Sequence, residues 1–339
     1  MKKISHRYVR KTAAGVVALS MLCAAAIPSV LAMSAGAASA SGDLNGDGSV
    51  TAADVAILQT SLLGGTALTA EQYANADVTG DGAVDGLDLT RLRQMAAVVP
   101  VSDAIAIHLS DSGITVEGDT KGVTAVSGKT VTISASGNYT VDGSITDGQI
   151  LVNIPDTTAD SDAVSLYLQD VTMTSSTGAP CILGQSAKKL KLTCSGENTL
   201  TDTAAEANAD TSGVIYGDCD ITVTKNSTGT LNITSSMNTA IRSKDDIKLN
   251  GGAVVINTDV DDTSDADAIR ANNTLEVDGA SVSITSSADG LKSSKEDVSI
   301  LSGKVSIKAG NDAVQAATAL NISGGTVIAS GDRGFTLDE

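Results

Sequence analysis

The chain has 339 residues, with 40 acidic against 22 basic side chains and a net charge of −18 at neutral pH. That balance repels nucleic acid and anionic lipid, favours cations, and opposes an acidic polymer unless metal ions bridge the charges. Only two histidines, His6 and His108, and no tryptophan occur, which argues against a histidine-based zinc site, a Ser/His/Asp triad and an indole platform for stacking on sugars.

Residues 1–40 set the compartment. Lys2, Lys3, Arg7, Arg10 and Lys11 precede an apolar stretch from Ala13 to Met33, and the small-residue run Ala35 to Ala40 offers a cleavage site at Ala38, Ser39 and Ala40. A cleaved secretory signal and an extracellular protein are expected. The alternative, a membrane anchor, is disfavoured by Pro28 and the small-residue exit. Cys23 is a weak lipidation candidate, because Ser20, Met21 and Leu22 are not the small run that normally precedes a lipidated cysteine. Five basic and no acidic residues leave with the signal, so the net charge becomes −23 on 299 residues. No later apolar run approaches the ~20 residues that span a bilayer.

Two repeats with a period of 34 residues fill residues 42–98. Asp43–Asp54 reads DLNGDGSVTAAD and Asp77–Asp88 reads DVTGDGAVDGLD. Each places oxygen ligands at loop positions 1, 3, 5 and 12, with glycine at 6 where the chain turns sharply. The predicted calcium ligands are Asp43, Asn45, Asp47, Ser49, Thr51 and Asp54, then Asp77, Thr79, Asp81, Ala83, Asp85 and Asp88. Ser49 and Ala83 would serve through backbone carbonyls, and Thr51 and Asp85 through water. Crowded hard oxygens repel one another without a cation, so calcium is expected to be needed for folding here. An amphipathic helix should follow each loop, with Val55, Leu58 and Leu62 on one and Leu89, Leu92 and Ala96 on the other.

An ordinary EF-hand has an entering helix and glutamate at position 12. Here position 12 is Asp54 or Asp88, and what precedes Asp43 is signal peptide, so entering helices are missing. Those features resemble a type I dockerin, the module that plugs cellulosomal proteins into cohesin domains of a scaffoldin. The resemblance implies a cohesin partner met by Ala52, Ala53, Gln59 and Thr60 of the first repeat and Gly86, Leu87, Arg93 and Gln94 of the second. Familiar dockerins carry Ser/Thr pairs where this chain has Ala52-Ala53 and Gly86-Leu87, so a more apolar contact is expected.

A linker at 99–103 containing Pro100 leads into residues 104–339, rich in Ser, Thr, Gly, Asp, Val and Ile. Short alternating strands recur between Gly, Asn and Asp turns. The strings IKLNGG at Ile247, LEVDG at Leu275, VSILSG at Val298 and LNISGG at Leu320 echo one another. Each is followed by a second strand, Val254–Ile256, Val282–Ile284, Val305–Ile307 and Val327–Ala329. A third short element contains Ile241, Ile269, Leu291, Val314 and Phe335, spaced 28, 22, 23 and 21 residues apart. Three short strands per roughly 22 residues, with no rung able to bury its own apolar face, predict a right-handed parallel β-helix; a β-sandwich is the alternative. The mainly β domain is expected to be capped by the less regular part from Gly122 to Leu168. No comparable cap is visible after Phe335, which reads as a truncated solenoid. Cys181, Cys194 and Cys219 either form one disulfide or serve as small buried hydrophobes.

Stacked rungs align side chains. Asp267, Asp289 and Asp312 fall two residues before the third-strand apolar residue, with Thr239 above them and Asn311 and Asp332 flanking. Arg242, Arg270, Lys292 and Gln315 fall one residue after it. Neighbouring rungs lie about 4.8 Å apart, so three carboxylates in file need positive charge between them. Asp261, Asp262 and Asp265 crowd the loop beside the file. Either the aspartates hold calcium and, with Arg270 and Lys292, grip an acidic sugar, or they cap turns through hydrogen bonds and the basic residues neutralise them.

TVTI at Thr130, ILVN at Ile150, NTLTD at Asn198 and the glycine-rich rungs from Ile247 resemble the dockerin-associated carbohydrate-binding β-helix family, related in fold to pectate lyases. The resemblance covers most of 122–335 and implies binding of plant cell-wall polysaccharide, cellulose or pectin-like, with calcium in the β-helix. A non-catalytic cellulosomal binder is the leading expectation. The alternative is a calcium-dependent polysaccharide lyase with Arg242, Arg270 or Lys292 as base; a glycoside hydrolase and a purely structural surface repeat are further classes.

Overall fold

The structure, a computed structural model, describes residues 42–46, 50, 52–96, 104–258 and 266–337. The expected signal, the linker at 99–103 and the acidic residues Asp261, Asp262 and Asp265 lie outside the described residues.

Three helices follow in the N-terminal part: α1 (Ala52–Leu62), α2 (Ala70–Ala76) and α3 (Gly86–Ala96). The expected helices after each loop are α1 and α3. Leu58 and Leu92 are fully buried with Leu44 and Ala76, and Val55 and Leu89 pack against them, while Leu62 is exposed. The chain leaves α1 at Gly64, where φ is +82°, a conformation that favours glycine. The expectation that entering helices are missing is corrected at the second loop, because α2 runs straight into Asp77. Its start is a capping box: Thr69 Oγ1 accepts the Gln72 amide at 3.2 Å, and Gln72 Oε1 accepts the Thr69 amide at 3.0 Å. The Thr-x-x-Gln spacing carried that signal in the sequence.

From Ile105 the chain is β. The described strands form a 14-stranded and a 10-stranded sheet. Among the described residues every pairing is parallel except two at the start, where Ile105–Leu109 meets Thr115–Glu117 and Thr124–Ser127 meets Thr130–Ile133. The irregular beginning therefore lies at 105–133, and parallel rungs are already running through the rest of the expected cap. Short strands coil successively from one sheet to the other, the arrangement of a β-helix-like fold.

The registers are those read from the echoes. Ile247, Leu275, Val298 and Leu320 pair in file, as do Val254, Val282, Val305 and Val327. The third-strand file extends further back than expected: Val131, Ile150, Ile182, Ile215, Ile241, Ile269, Leu291, Val314 and Phe335 pair in turn. All but Phe335 are fully buried. Parallel stacking of identical inward positions gives one continuous apolar core, each rung covering the next. The first two strands of a rung fuse in Leu275–Ser286 and Val298–Ala309, bending where Gly279 and Gly303 take φ of +104° and +95°. A Cβ on Gly303 would lie 2.3 Å from the Ala280 carbonyl oxygen, so only glycine fits that corner. Ile322, Ile328, Phe335 and Leu337 of the last rung are exposed.

Candidate functional site

The two acidic loops close in the same way. Asp54 Oδ1 accepts the amides of Leu44 and Asn45 at 2.8 and 3.0 Å. In the second loop Asp88 Oδ1 accepts the Thr79 amide at 3.1 Å and its hydroxyl at 2.9 Å. Aspartate at position 12 thus reaches back across its loop in both copies, and both carboxylates are buried. Burial raises the Asp88 carboxyl, but bonds from Asp85 and Thr79 outweigh it and hold it below the ordinary value. Asp43 Oδ1 accepts the Gly46 amide at 2.7 Å. Asp77 accepts amides from Gly80, Asp81 and Gly82, and Asp85 accepts that of Leu87. Carboxylate oxygens of Asp77, Asp81 and Asp88 lie within 4.8 Å of one another, a donor set that suits a hard cation. Ala83 donates its amide to Asp81 Oδ1, so its side chain plays no part. Asp47, Ser49 and Thr51 fall outside the described residues. Helix α2 steadies the first loop, with Gln72 Nε2 donating to the Leu44 carbonyl and Asn75 Nδ2 to that of Asp43.

Of the residues expected to meet a cohesin, Gln59 and Thr60 on α1 and Leu87 and Arg93 on α3 are exposed. Leu87 is 64% exposed, large for an apolar side chain at a helix start. Ala52 and Ala53 begin α1, Gly86 begins α3, and Gln94 lies on α3 one position past Arg93.

On the β domain the two predicted files exist. Arg242, Arg270, Lys292 and Gln315 pair in register along the smaller sheet, and the file runs on to the buried Tyr216 at one end and Thr336 at the other. Asp267, Asp289 and Asp312 run beside them, only 6, 5 and 1% exposed. Their oxygens form a chain of staples. Asp267 Oδ1 accepts the Asp289 amide at 3.3 Å, and Asp289 Oδ1 accepts the Asp312 amide at 3.0 Å. Each carboxylate also has a cation: Arg270 lies 3.5 Å from Asp267, Lys292 2.5 Å from Asp289 and Arg333 2.8 Å from Asp312. Burial raises the Asp267 carboxyl, Lys292 pulls it down and Asp289 pushes it up. The aspartates are in file but their oxygens do not converge; Asp267 and Asp289 each bond the amide of the next rung, not a turn of their own, and a cation neighbours every carboxylate.

Sequence reasoning missed one convergence. Asp220, Asp245 and Asp246 bring carboxylate oxygens within 4.8 Å on a corner of the β domain. Asp245 takes a bond from Asn273 and Asp246 one from the Thr274 amide. Burial first, then Asp245 and Asp246, raise the Asp220 carboxyl, with Lys189 opposing. Only the pairing of Ile221 with Ile247 puts these residues together. Tyr216 was missed too; it is buried, with Arg242 and Lys244 5.9 and 5.6 Å from its ring centroid. His108 sits on a rung against Asp142 at 2.8 Å. Cys181, Cys194 and Cys219 are free and buried.

Comparisons with known proteins divide the chain where the two cores divide it. Residues 41–95 match the model of the dockerin type I domain. Residues 127–335 match a family described as carbohydrate-binding domain-containing protein. A protein of that description from Acetivibrio thermocellus is 33% identical over 138 residues, 39% of this chain; the match spans 46% of the relative's length. A solved structure described as a polysaccharide lyase-like protein from C. thermocellum, as a gadolinium derivative, superposes with a TM-score of 0.50 at 23% identity, covering 70% of this chain and 97% of that one; likeness at that identity speaks to fold alone. With the match covering more than half its length, the chain belongs to the carbohydrate-binding domain-containing protein family and carries a type I dockerin domain ahead of that region.

Proposed function

We infer that this is a secreted cellulosome component. Its dockerin repeats, loaded with two calcium ions, dock to a scaffoldin cohesin, and its right-handed parallel β-helix binds plant cell-wall polysaccharide. The observation that carries the reading is the outward polar file from Arg242 to Gln315, in register within the stretch that matches the carbohydrate-binding family. Such a file offers guanidinium, ammonium and amide donors at each rung to the hydroxyls or carboxylates of an extended chain. Calcium would be held in the first loop by Asp43, Asn45, Asp47, Ser49, Thr51 and Asp54 and in the second by Asp77, Thr79, Asp81, Ala83, Asp85 and Asp88; it supplies charge neutralisation that lets the loops fold. Asp267, Asp289 and Asp312, with Arg270 and Lys292 beside them, would serve the polysaccharide contact and not calcium, because a cation already neighbours each carboxylate. Among the described residues no helix is long and apolar enough to cross a membrane.

Binding is favoured over lyase chemistry because each candidate base is already engaged. Arg242 bonds Ser212, Arg270 bonds Ser294 at 3.1 Å and Asp267, and Lys292 is clamped by Asp289. A proton-abstracting base must be free to take the proton. The test is retention of the full chain in affinity gels containing pectin or cellulose, with calcium and with chelator, alongside absorbance of unsaturated uronate products on polygalacturonate. Retention without product formation supports the binder; steady product formation that is lost in Lys292→Met overturns it in favour of the lyase.

A further inference from the structure

The chain of aspartate staples is broken at its last member. The position in register with Asp312 on the next rung is Arg333, and its amide goes to the Asn311 carbonyl at 3.4 Å instead of to a carboxylate. Asp312 Oδ2 accepts from Arg333 Nη2 and from Thr336 Oγ1, both at 2.8 Å. Asp312 Oδ1, on a side chain only 1% exposed, has no hydrogen-bond partner. A buried acceptor left unpaired is costly, more so when charged, so this oxygen calls for a donor.

Asp312 lines a cavity of about 420 Å³ shared with Asp289, Lys292, Gln315, Asp332 and Arg333. That volume is within the ~300–1,000 Å³ of small-ligand sites, but the lining is polar where most such sites are apolar. Its chemistry narrows the ligand. An anion would meet three carboxylates against two cations that Asp289 and Asp312 already neutralise. A divalent cation would meet an ammonium and a guanidinium, and the acidic oxygens do not converge here. An apolar group would leave Asp312 Oδ1 still without a donor. A ligand dense in uncharged hydroxyls, each able to donate and to accept, matches all the lining groups. Arg333, which bonds Asp312 Oδ2, is 68% exposed while the carboxylate is buried, and a ligand that reaches Oδ1 requires that flexible side chain to swing aside.

We propose that this pocket is a subsite for an uncharged sugar unit, whose hydroxyl donates to Asp312 Oδ1 while Gln315, Lys292 and Asp332 bond its neighbours. This rests on the carbohydrate-binding reading and deepens it, naming a neutral hexose unit as what the last rungs recognise.

The test titrates the full chain with cellohexaose and with a galacturonate hexamer by calorimetry, and measures retention on insoluble cellulose. Asp312→Asn removes the carboxylate charge; because Asp312 also holds Arg333 and Thr336, the half-buried Gln315→Leu and the exposed Asp332→Ala serve as variants that leave the staple intact. Each variant, Gln315→Leu and Asp332→Ala alike, is expected to weaken cellohexaose binding roughly tenfold, the loss of about one hydrogen bond to a charged or amide group, and the exposed Asp332→Ala keeps the wild-type thermal midpoint. Wild-type affinity in both of those variants, or tighter binding of the galacturonate hexamer that they abolish, overturns the subsite and leaves the family reading standing. A wild-type chain that binds neither oligosaccharide and is not retained on cellulose or pectin overturns both.

Discussion

Arg93 Nη2 donates to Gln59 Oε1 at 2.8 Å, and the two residues hold the same position in repeats 34 residues apart. The bond ties α1 to α3 across the pseudo-repeat on the exposed side of both helices, where a cohesin would sit. An exposed bond of this kind adds little to stability, so its value is in setting the spacing of the surface. The exposed apolar side chain among the residues expected to meet a cohesin is Leu87. Leu87→Asp should leave the thermal midpoint unchanged, because the side chain is 64% exposed. Affinity for a matching type I cohesin should fall at least about tenfold, the loss of a buried leucine's ~1.5–3 kcal/mol in the complex. Calorimetry with that cohesin decides it: undiminished affinity would mean that the face lies elsewhere.

Chelation should act on one part of the protein. The oxygens of Asp77, Asp81 and Asp88 crowd within 4.8 Å, and like charges at that separation repel unless a cation sits among them. The small core of Leu44, Leu58, Ala76 and Leu92 is separate from the large β core and has little apolar area with which to resist. Excess EGTA should therefore remove the helical far-ultraviolet signal and leave the β signal, with recovery on adding calcium. A chelated chain whose helical signal survives would show that the loops stand without the ion.

Asp289 should be the most sensitive member of its file. It accepts both the Lys292 ammonium at 2.5 Å and the Asp312 amide at 3.0 Å, so Asp289→Ala strands two partners. Breaking a buried pair from one side costs about 3 kcal/mol, and Lys292 at 21% exposure places the expected loss at or below that. Asp289→Asn keeps an acceptor for the amide and should cost about half as much. Urea unfolding of the full chain followed by the β signal measures both, and equal midpoints for the two variants would remove the staple argument.

The sequence made the later rungs legible because their period is short and their turns repeat. From Ile241 on, the file of inward residues advances by 21 to 28 residues, but the same file steps by 19, 32, 33 and 26 between Val131 and Ile241. Insertions between strands do not disturb the stacking, since only strand positions are shared between rungs; they do hide the period. The identities of Asp267, Asp289 and Asp312 were readable, but their bonding was not, because a carboxylate that staples the next rung and one that waits for an ion look alike in sequence. The cluster at Asp220 needed the register itself. Helix α2 was within reach, since Thr69 and Gln72 spell a capping box; its seven residues are too few for a periodic apolar stripe to announce it.

The cysteines give a final, cheap check on the rung structure. Cys181, Cys194 and Cys219 are free and at most 2% exposed. Burial pushes each thiol up to about 12, with nearby carboxylates adding to it at Cys181, where Asp202 contributes, and at Cys219, where Asp220 and Asp218 do. The thiolate is the reactive form, so at mildly alkaline pH the native protein should not react with a thiol-exchanging chromogen, while the chain cleaved after residue 40 should release three equivalents in denaturant. Two of three missing in denaturant without reductant would reveal a disulfide and a different packing of these rungs. Reaction of one thiol in the native state would point to Cys219, the least covered of the three at 2%, and to opening of the corner where Asp218 and Asp220 flank it.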